Sequence, residues 1–72
     1  MDEIQIKSPF IRLDQALKLS SVVSSGAEAK IRIQEGDVWV NEAPCTQRGK
    51  KLVVGDRIRF EDWEGIVVEE RR

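Results

Sequence analysis

The densest chemistry in the chain lies in the run Gln47-Arg48-Gly49-Lys50-Lys51. Arginine can fork onto phosphate oxygens or stack on a base, lysine adds compact positive charge, and glycine lets backbone approach a ligand closely. A second candidate is the corner Ser24-Ser25-Gly26-Ala27-Glu28, where a serine followed three residues later by glutamate forms a capping box. In that arrangement the serine oxygen accepts from an otherwise unpaired N–H of the first helical turn, and the glutamate reaches back to the serine's own N–H. Because a helix start carries free N–H groups and partial positive charge, the same corner suits a phosphate, although an ordinary surface cap is the commoner role. Trp39 supplies an indole that could stack on an unpaired base or cover the edge of a neighbouring helix. These are all binding chemistries, and none makes or breaks a bond.

Catalysis has no comparable constellation. The chain contains no histidine, its one cysteine, Cys45, has no base beside it in the sequence, and the carboxylates are scattered or gathered near the ends. No nucleophile–base pair and no metal-ligand spacing can be assembled, so we expect no enzyme activity, no catalytic residues, no cofactor and no metal. A single cysteine rules out an intramolecular disulfide and suits a reducing compartment. No apolar run approaches the ~20 residues needed to cross a bilayer, and Asp2 and Glu3 do not open a signal peptide. A cytoplasmic protein without a membrane partner is therefore expected.

Net charge is −1, which alone argues against nucleic acid, but its distribution says otherwise. From Lys7 to Arg59 ten basic residues face six acidic ones, an excess of four positive charges, and the acidic surplus is confined to Asp2-Glu3 and to the segment from Glu61 to Glu70. Where charge sits decides what it can bind.

The elements that must position these residues follow from periodicity. Ile4 and Ile6 alternate with polar neighbours before Pro9 interrupts, as in an edge strand or an extended lead-in. Leu13, Ala16, Leu17 and Ser20 share one helical face, predicting a first helix over 12–23. A second helix runs from Gly26 to about Glu35, with Ala29 and Ile33 on one side, Ala27 and Ile31 on another, and Ile31 partly exposed. Gly36 ends it, and Val38 and Val40 then point inward with Trp39 outward. A turn at 41–44 leads into the basic loop, and Gly55-Asp56 forms a turn before Arg57–Phe60, where Ile58 and Phe60 are buried. A further turn over 61–65 precedes a last strand at 66–69. The expected architecture is α+β: a helix-loop-helix packed on a small antiparallel sheet of three to four strands. All 72 residues form one domain, small enough that its core must be economical.

Taken in order, Arg12-Leu13-Asp14, Leu17, Ser25, Ala29-Lys30, Ile33, Gly36, Val38, Val40-Asn41 and Gly55-Asp56 with Ile58 resemble the S-four RNA-binding domain, or αL motif, over Arg12 to Phe60. Residues 61–72 then add an acidic turn and a final strand. Ser24-Ser25-Gly26, together with Gln47–Leu52 ahead of Gly55-Asp56, resembles the small stand-alone bacterial YaaA/YbcJ-like group more particularly. The resemblance implies an αL helix-loop-helix on a small sheet, binding structured RNA, often ribosomal, through the start of the second helix and the adjacent strand loop. It also implies a role in ribosome assembly or translation, with ribosomal or assembly proteins as further partners. Carried onto this chain, the RNA-binding surface includes Arg12, Ser25, Lys30 and the loop with Arg48, Lys50 and Lys51; we add Ser24 at the same helix start and Gln34, one turn further on, as a hydrogen-bonding contact, and expect a monomer. Gly26 and Glu42 stand where many members have arginine and glycine, and both changes lower the expected affinity. The competing expectation is a protein-interaction adaptor on the same fold, using Ile31, Trp39 and the acidic tail; salt response separates the two, because phosphate contacts weaken with salt and an apolar interface does not.

Overall fold

The structure, a computed structural model, describes residues 1–71. In chain order its elements are β1 (Asp2–Ile6), β2 (Ile11–Arg12), α1 (Leu13–Leu19), α2 (Gly26–Gln34), β3 (Val38–Val40), β4 (Ala43–Pro44), β5 (Lys51–Leu52), β6 (Arg57–Phe60) and β7 (Trp63–Glu69). The class is α+β, two helices against a sheet, as the periodicity predicts. The main sheet has five strands in the order β1-β7-β6-β3-β4, and β2 and β5 form a separate two-stranded pair. The sheet is thus larger than the expected three to four strands, and it is mixed: β1 runs parallel to β7, with Ile4 opposite Val67. Pairing the first strand with the last buries Ile4 and Ile6, but it joins segments at opposite ends of the chain, so no local pattern announces it.

The core draws on every layer. Leu13, Ala16 and Leu17 of α1 and Ala29 and Ile33 of α2 meet Val38, Val40, Ile58, Phe60 and Val67 from the sheet. Ala16 and Ala29 are both fully buried, and their small side chains let the two helices approach closely. Ile31 is 55% exposed, as expected. The first helix is shorter than the predicted 12–23, ending at Leu19. Ser21 takes a left-handed backbone (φ 60°), which turns the chain so that Val23 enters the core instead of continuing round the helix.

Turn chemistry fixes the strand ends. Asn41 (φ 49°) and Glu42 (φ 70°) make a two-residue hairpin loop with both central residues left-handed, closing Val40 onto Ala43. The Asn41 side chain reaches across the fold, donating to Asp56 Oδ1 (3.0 Å) and accepting from the Arg57 N–H (3.0 Å). Asp56 Oδ2 accepts from the Val53 N–H (2.9 Å), closing the turn at Gly55 (φ 100°). The last turn is tighter than predicted: β7 already begins at Trp63, which pairs with Phe60. The half-buried Trp63 ring lies over Gly65, and its Nε1 donates to Asp2 Oδ2 (2.8 Å).

Candidate nucleic-acid interface

The start of α1 organises the basic residues. Its N-cap, Arg12, makes no side-chain cap, so the first N–H groups of the helix need acceptors from elsewhere. They find them in the basic loop: Leu13 N–H donates to the Lys50 carbonyl (2.9 Å) and Asp14 N–H to the Arg48 carbonyl (3.1 Å). The loop closes on itself through Lys50 N–H to the Gln47 carbonyl (3.1 Å), and its far side is tied down where Lys51 pairs with Arg12 in the β2–β5 ladder. Arg12 Nη2 salt-bridges Asp14 (3.2 Å), and its guanidinium lies beside Gly49, 3.8 Å from where a Cβ would stand. Backbone bonds hold most of the loop, the Cys45 thiol donates to the Gln47 carbonyl as well (3.7 Å), and the exposed side chains of Arg48 and Lys50 enter no ion pair among the described residues. Arg12, Arg48, Lys50 and Lys51 are thereby gathered at one end of a helix, where the helix dipole is also positive. Such crowding of like charge opposes folding and favours an anionic partner.

The α2 corner is built as a cap, with one departure from the expected pattern. Ser25 Oγ accepts from the Glu28 N–H (3.1 Å), but the Glu28 carboxylate reaches past Ser25 to the Ser24 N–H (2.6 Å) and hydroxyl (3.1 Å). Those two bonds, backbone first, hold the Glu28 carboxyl below its ordinary value of 4.5, with the nearby Arg32 adding to the effect. The chain's own carboxylate thus stands at the helix entry that a phosphate would approach. Lys18 lies beside this entry: a Cβ on Gly26 would be 4.0 Å from its Cδ. Sequence reasoning left Lys18 out of the site, although its exposed position on α1, opposite the stripe of Leu13, Ala16 and Leu17, was legible.

Of the eight residues expected to form the surface, Arg12, Arg48, Lys50 and Lys51 come together at the loop, and Ser24 and Ser25 lie at the α2 entry. Lys30 and Gln34 are exposed on the outer face of α2 with Ile31, and no hydrogen bond or ion pair joins them to the loop among the described residues. Ion pairs among the described residues engage Lys7, Arg12, Arg32 and Arg71; none engages Lys18, Lys30, Arg48, Lys50 or Lys51. Trp39 faces away from the helices, as the alternation of β3 requires, and the Arg59 guanidinium covers it at 4.7 Å from the ring centroid. A half-buried indole already stacked on arginine contributes to packing on the open face of the sheet.

A helix pair on a small sheet, with a basic strand loop capping the first helix, defines an S4-type domain, and the chain belongs to the S4 domain family, matching it over residues 4–69. Among individual proteins, it is 45% identical over 65 residues to the "Probable ribosome maturation protein RlbA" of Bacillus subtilis, covering 90% of this chain and 92% of that protein. It is 43% identical over 54 residues to YbcJ of Escherichia coli, covering 75% of this chain and 77% of that one. The solution structure of YbcJ, described as revealing an alfaL motif involved in RNA binding, matches with a TM-score of 0.73 at 38% identity, covering 94% of this chain and 87% of that one.

Proposed function

We propose that this chain is a non-enzymatic RNA-binding protein that recognises structured RNA and serves ribosome maturation, the role named for its Bacillus subtilis relative. Ribosomal RNA is then its natural target, and the cytoplasm its place of work. The observation that carries this reading is the loop cap: α1 is completed by the carbonyls of Arg48 and Lys50, so folding obliges the chain to display their side chains with Arg12 and Lys51. RNA helices are recognised largely through shape and through phosphate and 2′-hydroxyl contacts, which four clustered cations can supply. Lys18, Ser24 and Ser25 extend the surface to the α2 entry, and Lys30 and Gln34 offer contacts one turn further along α2.

The test is a titration of the purified chain with structured ribosomal RNA fragments at two salt concentrations, with a Lys50→Ala/Lys51→Ala variant alongside. The cap bonds come from backbone carbonyls, so this variant keeps the fold. With about four phosphates neutralised, affinity should fall roughly 100-fold between 50 and 200 mM salt, and the variant should bind more weakly with a shallower salt dependence. Absence of binding even at low salt would refute the reading and point to a protein partner.

A further inference from the structure

We propose that the groove between the β1–β2 connection and the outer side of α1 receives one unpaired nucleotide of the bound RNA, its base stacked against Phe10. The inference rests on the RNA-binding reading above and adds what that reading does not contain, a preference for RNA in which a base is free of its helix. The groove is a shallow depression open to solvent, about 510 Å³ in volume, lined by Ser8, Phe10, Ile11, Gln15, Lys18 and Leu19.

The lining selects among occupants. Phe10 is 38% exposed and Leu19 61% exposed, so the walls offer apolar surface that a phosphate backbone cannot use and the face of a base can. No carboxylate lines the groove, and its polar lining residues include a lysine and a glutamine. The Gln15 side chain has no hydrogen-bond partner among the described residues, leaving its amide donors and carbonyl acceptor for a base edge. Ser8 Oγ donates to the Phe10 carbonyl (2.7 Å), a bond within the connection that carries the ring.

Position ties the groove to the basic cluster. The Lys51 ammonium lies over one face of the Phe10 ring, 4.8 Å from its centroid, so a base meets the ring at the face that Lys51 leaves, and Lys51 is the ladder partner of Arg12. Lys18, on the opposite wall, reaches toward Gly26 at the start of α2. An RNA strand running from the loop to the α2 entry would therefore pass over the groove, with a lysine at each side for the phosphates flanking an extruded base. Unpaired bases splayed onto aromatic side chains are the usual means by which proteins read single-stranded loops and bulges.

The experiment compares two RNA hairpins, one with a single bulged adenosine and one fully paired, against the full chain and its Phe10→Ala, Phe10→Trp and Lys50→Ala/Lys51→Ala variants. Wild type should prefer the bulged hairpin. Phe10→Ala should lose roughly 5- to 100-fold in affinity for the bulged hairpin alone, with the salt slope unchanged, and Phe10→Trp should restore it. The double lysine variant should weaken both hairpins. Equal binding of the two hairpins by wild type, or an equal loss on both in Phe10→Ala that Phe10→Trp does not recover, would overturn the groove while leaving the RNA-binding reading in place. A Phe10-dependent dimer in sedimentation, with no discrimination between hairpins, would assign the groove to a second copy and likewise overturn the proposal. Binding of neither hairpin, nor of ribosomal fragments, at low salt would remove both readings together.

Discussion

Glu28 does two opposed things with one carboxylate. It completes the entry to α2 through Ser24, and it places negative charge where a phosphate would dock. Its pKa is lowered in the folded state, so the contact contributes fully above the ordinary carboxylate range and is lost as pH falls from 4.5 through the folded value. Thermal melts of wild type and Glu28→Gln should therefore differ at pH 6 and converge only in acid, once the pH lies below the lowered folded value. At neutral pH the same variant should bind RNA a few-fold more tightly at low salt, since it removes a like charge from the phosphate approach. Glu42 is a plainer case, because a glutamate at φ 70° occupies a conformation that glycine adopts without strain. Glu42→Gly should stabilise the chain by roughly 0.5–1 kcal/mol, seen as a higher denaturant midpoint.

Among the elements, the hairpin loop at Asn41 and the turn at Gly55-Asp56 act as one device, because the Asn41 side chain bonds to both Asp56 and the Arg57 backbone. Asn41→Ala should cost about 1–2 kcal/mol and lower the denaturant midpoint with an unchanged slope. The same device gives Asn41 and Gly55-Asp56, which resemble the family pattern, a role in the fold. In the basic loop it is the backbone that serves α1, while the Arg48 and Lys50 side chains stay exposed. Sequence reading found the loop, the α2 cap and the inward Val38 and Val40, since each has a local signature of charge, spacing or alternation. It could not show that the loop caps α1, nor that Lys51 and Arg12 are ladder partners, because both depend on contacts between segments far apart in the chain.

For the whole molecule, the parallel union of β1 with β7 is the decisive contact. It makes the N-terminal strand part of the sheet and brings the two acidic ends together along one edge, where Arg71 meets Glu3 (3.3 Å) and Lys7 meets Glu70 (3.5 Å). These exposed pairs add little stability, and the buried Ile4 beneath them supplies more. Ile4→Ala should cost roughly 2–5 kcal/mol, a large share of the total for so small a domain, and urea unfolding should show a sharply lowered midpoint. The fold thus turns a chain of near-zero net charge into a molecule with a basic loop end and an acidic sheet edge.

The sequence by itself determined the helix pair, the polarity of β3 and β6, the absence of a plausible catalytic set and the concentration of basic charge in Gln47–Lys51, because all of these are written in periodicity and composition over a few residues. Tertiary structure decided which cations share a surface, that Glu28 guards the α2 entry through Ser24, that Trp39 is occupied by Arg59, and that Phe10 and Lys18 wall a groove beside the loop. Each of these depends on the distance between side chains on separate elements. Only the closing of the core around Leu13, Leu17, Ile33 and Leu52 sets those distances.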